Sequence, residues 1–240
     1  MRMAAPLRVY WLRHAQVASH RGDLPVTDEG RRQVEEVGQQ LSRELVSGEI
    51  VSLLHAPTRR TRETALMLHS SMITVFDDVQ RRPQIHLSAP IEHRAIRNPD
   101  IYVAGTRIEL VSTPEALTEQ LPSSSLGPQE LARLPFLQGF WEAADRIGYW
   151  VNHPNPPGED ADTVARRLLT FAVSLLDLPR DQPRRYICVT HSPPIRAFLR
   201  RYVLGYDPGE PGYLEAVDVD FDAGGSFIIS YRGNSKKVTL

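Results

Sequence analysis

Leu7-Arg8-Val9-Tyr10-Trp11-Leu12 is a run of apolar, aromatic and β-branched residues that breaks directly into Arg13-His14-Ala15-Gln16. A second such run, Tyr186-Ile187-Cys188-Val189-Thr190, breaks into His191-Ser192-Pro193-Pro194. Each reads as a buried strand that delivers a histidine at its carboxyl end. In open α/β sheets that edge is where ligands bind. Two imidazoles with arginines beside them suit an anion that nitrogen can attack, and phosphate is the candidate.

Outward from these strands the elements alternate. After the 7–12 strand, Thr27-Asp28-Glu29-Gly30 opens a helix that Thr27 can cap, with apolar spacing through Val34, Val37, Leu41 and Leu45 to about Gly48. Ile50–Leu54 reads as a strand, Pro57 as the first turn of a helix to about Leu68, and 85–93 as a third extended piece. Helices are expected at about 136–151, 160–177 and 194–203, with a strand at 185–190. Two alternating runs, 214–221 and 226–231, are split by Asp222-Ala223-Gly224-Gly225, a hairpin signal. This order predicts an α/β three-layer sandwich, a mostly parallel sheet with helices on both faces and an antiparallel edge. Residues 1–240 are expected to form a single domain. Within it, the Pro-, Ser- and Gly-rich segment 98–135 is expected to be an insertion or cap over the carboxyl edge of the sheet.

Composition narrows the function. The net charge of −1 offers no global field for nucleic acid or an anionic membrane. The one cysteine, Cys188, excludes an internal disulfide framework and a multi-cysteine zinc site, and reads as a small core residue. No segment is long and apolar enough to span a bilayer, no signal peptide precedes the first strand, and a cytoplasmic location is the expectation. Glycine-rich phosphate loops and clustered metal-ligand motifs are absent, so neither a nucleotide cofactor nor a metal is expected. The expected partner is a small phosphorylated substrate; a homodimer is compatible with this reading. His55, His69, His86, His93 and His153 read as structural or solvent-facing, and Trp141, Tyr149 and Trp150 as core.

The chemistry falls to four residues. His14 is placed to be the nucleophile, since a neutral imidazole can attack phosphorus and form a phosphohistidine. Arg13 and Arg60 offer guanidiniums that grip phosphate oxygens, and His191 can donate to a phosphoryl oxygen as charge builds up.

Several blocks, in order along nearly the whole chain, resemble the histidine phosphatase superfamily, which includes the cofactor-dependent phosphoglycerate mutases. Arg13-His14-Ala15 resembles its Arg-His-Gly signature, followed by Gln16 and His20 at polar positions. Val26-Thr27-Asp28-Glu29-Gly30 is similar to Leu-Thr-x-x-Gly. Ala56-Pro57-Thr58-Arg59-Arg60-Thr61-Arg62-Glu63-Thr64-Ala65 resembles Ser-Pro-x-x-Arg-x-x-x-Thr-Ala, which puts the phosphate-gripping arginine at Arg60 and not Arg59. Gly158-Glu159-Asp160 resembles Gly-Glu-Ser, and Thr190-His191-Ser192-Pro193-Pro194-Ile195-Arg196 resembles Thr-His-Gly-x-x-Arg. Ala15 and Ser192 replace glycines of the pattern. The resemblance also implies an acidic proton donor after the third strand. There Ile96-Arg97-Asn98-Pro99-Asp100 has an amide at the acid's place, so Asp100 is the expected donor and Glu92 the alternative. The reaction this implies is hydrolysis of a phosphate monoester through phospho-His14. A phosphomutase and a non-catalytic phospho-ligand binding module are its rivals.

Overall fold

In the computed structural model, which describes residues 5–19, 22–78, 85–123, 126–222 and 226–239, every residue of strand β1 (Leu7–Arg13) except Arg8 is buried. Such a strand belongs inside a sheet covered on both faces. It pairs in parallel with β7 (Arg184–Thr190), and β7 in turn with β2 (Ile50–His55). Two short pieces, β3 (His86–Leu87) and β4 (Ile91–Glu92), add in parallel to β2, splitting the expected 85–93 strand. On the other side β8 (Ala216–Phe221), β9 (Phe227–Tyr231) and β10 (Asn234–Val238) continue antiparallel. The turn residues Ala223, Gly224 and Gly225 of the expected hairpin lie outside the described residues, as does His20.

Alternation along β1 divides the core. Leu7, Val9 and Trp11 pack with Leu168 and Phe171 of α7 (Ala161–Ser174) and Ile195 and Phe198 of α8 (Ser192–Leu199). Tyr10 and Leu12 pack on the opposite face with Val34 and Leu41 of α1 (Asp28–Arg43) and Leu68 and Met72 of α2 (Arg59–Asp78). The result is the mostly parallel, helix-covered α/β sandwich that the alternation predicts. Thr27 caps α1, its Oγ1 accepting from the Gly30 amide. Helix α2 begins after Thr58, so Pro57 precedes it. It runs past Leu68 because Met72 and Phe76 extend the buried stripe. Strand β10 was invisible to apolar alternation: it is a polar edge with Lys236 and Lys237, residues that discourage edge-to-edge pairing.

The segment 98–135 is more ordered and more extensive than an insertion of that length. A hairpin of β5 (Ile101–Val103) and β6 (Thr106–Ile108) turns at Ala104 and Gly105, both at positive φ. Short helices α3 (Pro114–Thr118) and α4 (Pro128–Leu131) follow. Their buried residues share one cluster with Leu137 of α5 (Pro135–Glu142), Trp150 of α6 (Arg146–Asn152) and Val164 of α7. The segment 98–135 therefore shares one core with residues up to about 152 and joins the sandwich through α7. Trp150 is fully buried and Trp141 Nε1 donates to Val111 O, so these aromatics are core and strut rather than a substrate platform.

Candidate active site

Register places the two histidines side by side. Arg13 of β1 stands opposite Thr190 of β7, and the next residues are His14 and His191. The His14 amide donates to Thr190 O at 2.9 Å, and the imidazole centroids lie 5.4 Å apart. Both residues are 2 % exposed. His14 Nδ1 lies 2.8 Å from Ala15 O. A carbonyl only accepts, so Nδ1 carries the proton and the ring's lone pair is on Nε2. Ala15 is not among the positive-φ residues and its amide donates to Thr64 Oγ1, so the backbone here does not require the family's glycine. Glycine is required at Gly30 instead, where a Cβ would lie 2.8 Å from Gln16 O.

Arg13 is 4 % exposed and lies over the Tyr213 ring, 4.3 Å from its centroid. Its Nη1 donates to Pro211 O and its Nη2 lies 2.6 Å from Glu210 Oε1. Arg60, from the first turn of α2, points Nη2 at His191 Nδ1, 3.3 Å away, and Nη1 at Asp23 Oδ1, also 3.3 Å. A guanidinium has nothing to accept with. His191 Nδ1 is therefore the acceptor, and the ring proton sits on Nε2, 3.5 Å from Thr58 Oγ1. Burial pulls the Arg60 guanidinium below its ordinary pKa, Arg13 acts in the same sense, and Asp23 and Glu109 oppose them. The Nε atoms of both Arg13 and Arg60 are buried and have no hydrogen-bond partner among the described residues. Arg59 faces away from this cradle, its Nε on Glu63 at 2.7 Å.

The structure thus brings together His14, Arg13, Arg60 and His191. Asp100 is engaged elsewhere. Its carboxylate accepts from Arg97 Nε at 3.0 and 3.1 Å, and from Arg107. Burial pushes its pKa up, but the hydrogen bonds and charges of Arg97 and Arg107 outweigh that and bring it down to about 2. A group ionised to that pH holds no proton to give near neutrality, which speaks against the donor role expected for Asp100. Glu92 is exposed at the end of β4. Asn98, at the acid's place, instead donates Nδ2 to Glu109 Oε2 at 2.9 Å.

Other participants were not legible in the sequence. Glu159 accepts from the Asp100 amide at 2.8 Å and pairs with Arg167 at 3.1 Å. Arg167 in turn donates to Ala95 O and Arg97 O. Together they pin the 95–100 segment to the start of α7. Gly158 is obligatory there, since a Cβ would lie 2.1 Å from Asp100 O. The Gly158-Glu159 pair was the available signal, though a spacing match alone assigns it no duty. Glu210, Asp23, Tyr213 and Glu109 come from loops and the cap, with no pattern to mark them. Among the described residues no group of three or more His, Cys, Asp or Glu is arranged to hold a metal, and no helix is long and apolar enough to cross a membrane.

The sequence profile of the histidine phosphatase superfamily (branch 1) matches residues 9–79, which hold Arg13, His14 and Arg60. No curated protein matches the chain. Among solved structures, mycobacterial glucosyl-3-phosphoglycerate phosphatase is 15% identical with a TM-score of 0.53, the alignment covering 94% of this chain and 98% of that one. Phosphoglycerate mutase from Bacillus anthracis is 12% identical with a TM-score of 0.54, over 96% and 94%. An open reading frame product of Mycobacterium tuberculosis is 19% identical with a TM-score of 0.51, over 97% and 96%. At these identities the structures speak to the fold alone. The chain has the fold of the phosphoglycerate mutase-like histidine phosphatases, and its residues 9–79 carry that superfamily's sequence pattern.

Proposed function

We propose that the protein is a phosphomonoesterase that works through a phosphohistidine at His14. The observation that carries this reading is the pairing of a His14 tautomer whose lone pair is on Nε2 with two guanidiniums whose buried Nε–H groups lack partners among the described residues. That cradle supplies positioning and positive charge, most of what phosphoryl transfer asks of a protein. Arg13 and Arg60 hold the phosphoryl oxygens, and His191 Nε2–H donates to one of them as charge accumulates.

In the first step the Nε2–P bond forms and the P–O bond to the alcohol breaks, the leaving oxygen taking a proton from a carboxylic acid. In the second, water attacks phosphorus, the P–N bond breaks and the same carboxylate takes the water's proton. Phosphate leaves, with His14 and the acid regenerated. Glu109 fills the acid's role in this reading. It is the cap carboxylate held by Asn98, at the position where the donor was expected, and its charge acts on Arg60.

Alkaline-quench trapping tests the proposal. Protein mixed with labelled p-nitrophenyl phosphate should yield an acid-labile, base-stable phosphoprotein, and His14→Ala should lose both the label and turnover by at least about 10³-fold. Turnover by the variant above a tenth of the wild-type rate would remove His14 as nucleophile. A labelled protein that holds its phosphate for many seconds in water would favour a mutase. Binding of phosphate esters without turnover would favour the non-catalytic module.

A further inference from the structure

We infer that this site selects phosphate monoesters whose alcohol portion is uncharged or cationic, and discriminates against those bearing a second anion. The inference rests on the phosphomonoesterase reading and names its substrate class. Each guanidinium of the cradle already has a carboxylate beside it: Glu210 Oε1 is 2.6 Å from Arg13 Nη2, and Asp23 Oδ1 is 3.3 Å from Arg60 Nη1. These are not loose side chains that an incoming anion sweeps aside. Glu210 also accepts from Ser192 Oγ at 2.6 Å and from Arg196 Nη1 at 3.3 Å. Asp23 Oδ2 also accepts from the Arg59 amide at 2.7 Å. The side chains of Glu210 and Asp23 are 47% and 50% exposed, so both carboxylates reach the surface beside the cradle.

The cap's nearby cations do not offset them. Arg97 is taken by Asp100 and Glu159, and Arg107 by Asp100 and Glu109. A phosphoryl group finds the imidazoles and the two Nε–H groups that have no partner among the described residues. A carboxylate or second phosphate on the same molecule finds carboxylates. Hydroxyl and ammonium groups, by contrast, are donors for which those carboxylates are acceptors. One unit charge at about 6 Å from another, in an effective dielectric between 20 and 80, changes affinity roughly three- to hundredfold.

The experiment measures competitive inhibition of p-nitrophenyl phosphate hydrolysis by glycerol 3-phosphate, 3-phosphoglycerate and phosphoethanolamine. The first two differ mainly in a hydroxymethyl against a carboxylate. At low salt 3-phosphoglycerate should bind at least about tenfold more weakly than the other two, and the gap should shrink at high salt because the carboxylates are exposed. Glu210→Gln and Asp23→Asn should each narrow the ratio between 3-phosphoglycerate and glycerol 3-phosphate several-fold, whatever they do to the rate itself. Equal or tighter binding of 3-phosphoglycerate overturns the inference, as does a ratio unmoved in both variants, or no inhibition by any of the three. Failure to hydrolyse p-nitrophenyl phosphate at all overturns the phosphomonoesterase reading beneath it.

Discussion

Two sets of buried arginines divide this molecule by what their nitrogens touch. In the brace, Arg196 is fully buried, with Nε on Asp207, Nη1 on Asp145 and Glu210, and Nη2 on Asp145 and Asp207. Arg167 is likewise engaged through Nε, Nη1 and Nη2, on Glu159 and on the carbonyls of 95–98. In the cradle, Arg13 and Arg60 are as sheltered, but each leaves its Nε without a partner among the described residues. A saturated guanidinium holds the fold, and an unsaturated one keeps a donor for the phosphoryl group that the proposed function places there. Burying an unsatisfied cationic donor costs stability, and such costs persist where function uses them.

The largest expected effect probes the brace. Arg196→Met should destabilise the protein by about 3 kcal/mol or more, because it strands Asp207 and leaves Asp145 and Glu210 without their buried partner. Urea unfolding measures this, and a change below about 1 kcal/mol would mean the brace is a surface network. Arg60→Ala should behave in the opposite way. Unfolding should hardly change, while kcat/KM on a phosphate ester falls roughly 10- to 150-fold, the worth of one or more charge-assisted hydrogen bonds at about 1.5–3 kcal/mol. Arg59→Ala, which loses only an exposed pair with Glu63, should stay within about twofold. Equal losses at 59 and 60 would erase the distinction between cradle and surface.

The smallest expected effect sharpens the place of Asp100. Its folded pKa is about 2 and lies below that of the unfolded chain, so its ion pairs stabilise the fold above about pH 4. That stability is lost as pH falls from about 4 toward 2. Partial exposure discounts the gain to about 1–2 kcal/mol. Asp100→Asn should flatten the stability profile across that acid window, and it should leave untouched the ratio of rates on alkyl and aryl phosphates. Glu109→Gln should change that ratio by roughly 10²-fold or more in favour of the aryl ester. A reversal of these two outcomes would return the proton donor to Asp100.

The sequence by itself determined the sandwich and pointed to four residues, His14, Arg13, Arg60 and His191, that the fold brings together. Strands and helices announce themselves by local periodicity, and β1 and β7 end in histidines within a few consecutive residues. Their adjacency follows from the rules of parallel sheets, and Arg60 follows from register on a motif. The sequence did not determine which carboxylate does what. Asp100 stood closest in sequence to the vacant acid position, yet Arg97 and Arg107 claim it. Glu109 is distant along the chain and reaches Asn98 only because the β5–β6 hairpin folds back. Glu210 meets Arg13 only through the loop before β8, and Asp23 meets Arg60 across the loop before α1. Nor did composition show that the 98–135 segment shares one core with residues up to about 152, since much of that core comes from α3, α4 and a hairpin too short to display periodicity alone. Backbone periodicity is a local property written in consecutive residues. The charge state and duty of an ionisable side chain depend on what sits within a few ångströms, and only the folded chain decides that.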